Sequence, residues 1–194
     1  MTADLTALVE RCRQGDDLAW EQLVRRCQGR AYGMAYHYMG SAEEARDVTQ
    51  EVFVRVYRQL SSYQGDGFMA WLLRITRNQC IDQIRRRAAR PPAEDLLADD
   101  HDWALPDTAP DPEQSWLTGT RKRPVYQALG RLNGQNGEII LLKEIQGLQF
   151  KEIADMLDLP VGTVKSRSNR ARLELARQVL AIDPSYALHT ESLD

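Results

Sequence analysis

Residues 150–177 read FKEIADMLDLPVGTVKSRSNRARLELAR, and they decide how the chain is read. Ile153, Ala154, Leu157 and Leu159 are the apolar positions of a short helix and the turn behind it. Asp158-Leu159-Pro160 ends that helix, because proline cannot continue it yet fits the opening turn of the next. A second helix is predicted from about Val161 to Leu180. At about 100° per residue, Val161, Val164, Ser168, Ala171, Leu175 and Val179 share one stripe. Gly162, Ser166, Asn169, Arg170 and Leu173 lie opposite, with Thr163, Lys165, Arg167 and Arg172 nearby. Two helices, a tight turn and small polar and cationic residues on the second helix describe a helix-turn-helix. Long cationic side chains there can reach phosphates, while Thr, Ser and Asn can reach base edges. The bland alternative is a solvated amphipathic helix pair.

At 194 residues the chain can hold one domain or two small ones. Hydrophobic residues make up 43%, enough for packed cores. Strand-type alternation is hard to find, so an all-α fold is expected. The net charge of -3 argues against blanket nucleic-acid binding, but local patches decide binding and the charge is unevenly placed. Cys12, Cys27 and Cys80 lack CxxC spacing, which suggests reduced thiols in a cytoplasmic protein. The start, MTADLTALVERC, has neither a basic nor an apolar signal region. No apolar run approaches the roughly 20 residues that span a bilayer, so any membrane link has to come through a partner.

Residues 4–38 read as helical, with a break at Gly15-Asp16-Asp17 where either acid can cap the next helix. Cys12 and Cys27 fall on apolar faces and read as small buried hydrophobes. Ser41 to Leu60 is the clearest helix of the first half, opened by a capping box of Ser41 with Glu44. Ala45, Val48, Val52, Val56 and Leu60 point inward, with Phe53 on the flank. Asp47, Gln50, Glu51, Val54 and Arg58 occupy the opposite face, and an exposed Val54 fits a docking surface better than bare solvent. A glycine-rich turn covers 61–67.

The next helix, 68–90, turns Phe68, Leu72, Ile75, Gln79 and Cys80 to one side and Trp71, Arg74, Asn78, Asp82 and Arg85 to another. From Arg74 to Arg90 there are six arginines and one acid, and the planar, always-charged guanidinium suits phosphate contact. Residues 91–118 then hold five prolines and eight acids with no Lys or Arg, the composition of a flexible linker. Its Asp99-Asp100-His101-Asp102 run is too crowded, and too isolated, to read as a metal site. From Trp116 the chain becomes helical again through Val125, Leu129 and Leu132, then Ile139, Ile140, Leu141, Leu142 and Ile145, and Gly147 ends that helix.

The string E-I-A-x-x-L-x-L-P-x-G-T-V-K-S-R, followed by N-R-A-R, closely resembles the promoter-binding end of bacterial RNA polymerase sigma factors. The nearest branch is the extracytoplasmic-function (ECF) group of the sigma-70 family. D-V-T-Q-E-V-F-V-R-V-Y at 47–57 resembles the segment with which sigma factors grip the polymerase clamp. W-L-x-R-I-x-R-N-x-x-I-D-x-x-R-R-R at 71–87 resembles the segment that reads and melts the downstream (-10) promoter element. The string L-x-x-L-N-x-x-x-G-E-I-I-L-L-K-E-I-Q-G-L at 129–148 resembles the opening of the promoter-binding domain. There Asn133 stands where Pro is usual and Gly137 where Arg is usual. Ser168 stands where relatives often carry Leu; a hydrogen bond back to the carbonyl of Val164, or a slightly loose core, would follow.

The resemblance implies two small helical domains: 1–90 for core polymerase and the -10 element, and 119–182 with the helix-turn-helix for the -35 element. The acidic linker 91–118 joins them, and a tail, 183–194, carries no clear motif. Asp47, Gln50, Glu51, Val54 and Arg58 would contact core polymerase. Tyr63, Gln64, Asp66 and Phe68 would hold a base flipped out of the -10 element, where a pocket offsets a few kcal/mol of unstacking. Trp71, Arg74, Arg77, Asn78, Asp82, Arg85, Arg86 and Arg87 would complete the -10 surface, with Asn78 and Asp82 at base edges. Thr163, Lys165, Ser166, Arg167, Asn169 and Arg170 would read the -35 element. The implied partners are core RNA polymerase, promoter DNA and an anti-sigma factor, in many members membrane-bound. No catalytic residue, metal, cofactor or small-molecule substrate is implied. The competing reading is a stand-alone helix-turn-helix regulator, which leaves 41–60 and 68–90 without a role. A nuclease would need paired acids or a metal cluster on an ordered face, and His37, His101 and His189 are scattered.

Overall fold

The structure is a computed structural model that describes residues 2–65, 67–89, 123–132 and 134–189. The linker 91–118 with its Asp99–Asp102 run, Asp66, Asn133 and the end of the tail lie outside the described residues. All regular structure among those described is helical, and the chain divides into two compact units, 1–102 and 103–194.

In the first unit α1 (Thr2–Arg13) buries Leu8 and Val9. A turn at Gly15, whose φ of 85° needs a residue without a Cβ, leads to α2 (Asp17–Met39). Asp16 is the cap of α2: its Oδ1 accepts the Ala19 amide at 3.0 Å while Arg11 donates to its Oδ2 at 2.6 Å. Gly40, at φ 69°, closes α2 by donating to the Tyr36 carbonyl. Ser41 then opens α3 (Ala42–Gln59) by accepting the Glu44 amide at 3.5 Å. The expected return contact of a capping box is replaced, because the Glu44 carboxylate pairs with Arg87.

A 3-10 turn, Leu60–Ser62, and a short loop lead to α4 (Phe68–Ala89). Helix α2 packs against both α3 and α4, which also pack on each other. Ala45, Val48, Val52, Val56 and Leu60 are buried as the spacing predicts. Phe53 is buried rather than on the flank, meeting Trp20 edge-on at 6.3 Å. Helix α4 buries Leu73 and Thr76 besides the predicted side; the Thr76 hydroxyl donates to the Leu72 carbonyl at 3.0 Å. Burial pushes the Cys27 thiol up to about 11 and the Cys80 thiol up to about 12, which removes thiolate character at neutral pH. Cys12 is half-buried, and its pKa is raised by burial and then by Asp16.

The second unit is built around one long helix, α8 (Val161–Ile182), against which α5 (Arg123–Gly130), α6 (Gly134–Ile140) and α7 (Phe150–Leu157) all pack. Gly137 sits inside α6 and is buried. Ile139, Ile140, Leu141 and Leu142 are all buried. Four consecutive residues sweep about 300° of a helix, so this element is enclosed on most sides. The predicted uninterrupted helix widens into a π turn at Leu141–Ile145, with the Gln146 amide reaching the Leu141 carbonyl at 2.9 Å. Gly147, at φ 73°, then ends it.

Helix α7 is opened by Glu152, whose carboxylate accepts the Gln149 amide at 2.6 Å. It buries Ile153, Ala154 and Met156, while Leu157 and Leu159 are half-buried. Met156 and Leu157 stand three and four residues past Ile153, and both spacings reach the same face. Asp158 adopts φ 54°, a left-handed cap that a short polar side chain tolerates. Pro160 stands at the cap of α8, one residue before its first turn, and its carbonyl accepts the amides of Thr163 and Val164 at 2.9 and 3.1 Å.

Val164, Ser168, Ala171 and Val179 are buried as expected, but Val161 stands 37% exposed in the first turn. The Ser168 hydroxyl is buried and has no hydrogen-bond partner among the described residues, so the back-bond to Val164 is not made. A short 3-10 stretch, Pro184–His189, follows α8.

Candidate functional site

Three surfaces collect the polar and cationic residues singled out above. The first is on α3. Asp47, Gln50, Glu51, Val54 and Arg58 all line one open groove of about 640 Å³. They fall together because positions 47, 50, 51, 54 and 58 repeat at three- and four-residue spacing on the face opposite Val48, Val52 and Val56. Val54 is 51% exposed within this polar setting. Arg55 and Gln59 extend the groove, and Gln79 reaches it from α4. The Gln79 side-chain amide donates to the Glu51 carboxylate, although Gln79 itself is buried.

The second surface is the loop before α4 and the outer face of α4. Tyr63, Phe68 and Trp71 form an aromatic cluster, with Tyr63 and Trp71 centroids 4.8 Å apart and Phe68 within 5.8 Å of both. Phe68 is buried and serves as the floor of this cluster, while Tyr63 and Trp71 are half-buried. Gly65 lies against this cluster: a Cβ there would come within 3.1 Å of the Tyr63 ring, which would have to shift by a few tenths of an ångström. Gln64 is exposed. Arg74, Asn78, Arg85 and Arg86 are exposed; Arg77 and Asp82 are half-buried. Arg87 is exposed but engaged with Glu44.

The third surface is the start of α8. Lys165, Ser166, Asn169 and Arg170 are exposed, and Thr163 and Arg167 are half-buried. The Ser166 hydroxyl donates to the Thr163 carbonyl at 3.0 Å. Arg167 donates to the side-chain oxygen of Gln135 on α6 at 2.6 Å, which ties it to the scaffold. Arg172, further along, is held by Glu144 at 2.6 Å. Among the described residues no group of three or more His, Cys, Asp or Glu side chains could hold a metal ion, and no helix is long and apolar enough to cross a membrane.

Comparison with known proteins bears on all three surfaces. The family model for sigma-70 region 2 matches residues 23–90, and that for sigma-70 region 4 matches residues 122–175. The RNA polymerase sigma-H factor of Pseudomonas aeruginosa is 37% identical over 171 residues, covering 85% of this chain and 88% of that protein. The ECF RNA polymerase sigma-E factor of Escherichia coli K12 is 35% identical over 187 residues, covering 92% and 97%. The chain belongs to the ECF sigma factors of the sigma-70 family. Among solved structures, CnrH in complex with the cytosolic domain of CnrY is 27% identical with a TM-score of 0.62, covering 91% of this chain and 97% of that one.

This sigma factor directs core RNA polymerase to promoters and assists strand opening. A stand-alone regulator does not account for the region 2 match, which spans both α3 and α4. Sequence spacing missed Arg55, Gln59 and Gln79 in the groove. A signal for Gln79 was present: a glutamine on an inward face must find a polar partner. Spacing also missed that Arg87 and Arg167 have partners within the fold, because both partners come from other helices.

Proposed function

We propose that the α3 groove docks on core polymerase, the loop and outer face of α4 take the -10 element, and the start of α8 reads the -35 element. The gathering of Asp47, Gln50, Glu51, Val54 and Arg58 into one groove, with Val54 exposed among the polar side chains, carries this reading. On α4, exposed Arg74, Arg85 and Arg86 would hold phosphates while Asn78 reaches a base edge, with Asp82 one turn on. The Tyr63, Phe68 and Trp71 cluster gives a flipped base an aromatic surface, worth about 1–3 kcal/mol per stacked base. In this reading the domains are 1–90 and 119–182, joined by the linker 91–118. The factor works in the cytoplasm, with no catalytic residue, metal or cofactor of its own. An anti-sigma factor restrains it; the support is that the similar chain CnrH was solved with CnrY.

The test is reconstitution. Run-off transcription with core enzyme on a promoter library should yield discrete starts, and permanganate should report melted thymines at them. Gln50→Ala should weaken core binding while leaving the melting temperature of the free protein unchanged. No initiation at any promoter, or a Gln50→Ala effect confined to stability, refutes the assignment.

A further inference from the structure

We propose that Gln79 is a positioning residue: it holds the Glu51 carboxylate in place for polymerase docking. The inference rests on the reading of the α3 groove as the docking face. Gln79 and Asn78 are neighbours on α4, about 100° apart around the helix. Asn78 therefore faces solvent while Gln79, 8% exposed, faces α3. Among the described residues Gln79 is the only α4 side chain lining the groove, and its amide donates to Glu51.

An exposed glutamate samples many rotamers, and freezing it against a partner costs entropy at the moment of binding. A carboxylate already held by a buried amide meets that cost on folding instead. Glu51 keeps acceptor sites beyond the one Gln79 uses, because an ionised carboxylate offers about four. It therefore stays competent for a cationic group on the polymerase. The same bond links the helix that docks to the helix that carries Asn78, beside the packing of the two helices on each other.

The experiment is a double-mutant cycle on the full chain, reading affinity for core polymerase by competition and folding by circular dichroism. The variants are Gln79→Met, which keeps length and volume but not the donor, Glu51→Ala, and both together. Gln79→Met is expected to weaken core binding about three- to tenfold with Glu51 present, and to change nothing in the Glu51→Ala background. Gln79→Asn, one methylene too short to reach, is expected to repeat the loss and stands in if Gln79→Met does not fold. A loss from Glu51→Ala with none from either Gln79 variant overturns the positioning role and leaves the docking face intact. Equal Gln79→Met losses in both backgrounds overturn it too, since they mark general damage. If neither Glu51→Ala nor Gln50→Ala affects core binding, the docking face itself is wrong and the positioning role falls with it.

Discussion

Arg87, in the last turn of α4, is ion-paired with Glu44, in the first turn of α3. The two side chains are 49% and 24% exposed, and pairs this open are worth only about 0–1 kcal/mol. If Arg87 meets the promoter, a phosphate can therefore displace Glu44, but that contact would replace a bond instead of adding one. Arg86, one residue earlier, is exposed. Arg86→Ala should lower holoenzyme affinity for a promoter fragment and reduce the salt slope by about one. Arg87→Ala should do less on both counts, and Glu44→Gln should bring Arg87 level with Arg86. Affinity measured across a salt series checks this; identical losses at both arginines with Glu44 intact would show that the pair does not compete.

The same pair shows what residue spacing can and cannot reveal. Period and caps located the helices: Asp16, Ser41 and Gly40 mark ends by local chemistry, and the break at Asp158–Pro160 is written in three adjacent residues. The α3 groove was legible because its lining recurs on one helix at three- and four-residue spacing. Partners across helices were not. Glu44 with Arg87, Glu51 with Gln79 and Arg167 with Gln135 each depend on how two helices cross, which no single-helix pattern encodes. The π turn at 141–145 was hidden for a different reason: Leu141-Leu142-Lys143-Glu144-Ile145 fits either winding.

Ser168 places a hydroxyl in the core of the second unit without a partner. A buried unsatisfied polar group costs about 1–3 kcal/mol, and alanine is also the better helix former. Ser168→Ala should therefore stabilise the second unit by about 1 kcal/mol after the small loss of packing. Urea unfolding followed by circular dichroism checks the sign. A destabilised variant would mean that the hydroxyl is satisfied in solution.

Asp16 makes the stability of the first unit sensitive to acid. The Ala19 amide, then the Arg11 side-chain bond, hold its carboxyl below its ordinary value of 3.8. A depressed folded-state value means that the stabilisation is complete above 3.8 and is lost as pH falls through the lower folded value. Asp16→Ala should lower the melting temperature at pH 7, and the gap between variant and parent should close in acid. A gap independent of pH would assign the effect to alanine as a poor cap and not to the charge.

Arg167 and Arg170 sit one turn apart on α8 yet should behave differently. Arg167 is tied to Gln135 at 2.6 Å, whereas exposed Arg170 reaches only the Ser166 carbonyl at 3.5 Å, the outer limit of a hydrogen bond. Arg170 is thus the freer of the two to enter a groove. If it reads a base, Arg170→Ala should cost about 1–3 kcal/mol on a -35 duplex and relax preference at one position, leaving melting unchanged. Arg167→Ala should cost less in DNA affinity and also about 0.5–1.5 kcal/mol in stability, because a contact between α6 and α8 goes with it. Holoenzyme binding to single-base variants of the -35 duplex, set beside thermal melting of the free factor, separates the two. Equal DNA losses with no melting change at either site would make the Gln135 contact incidental and put both arginines on the DNA.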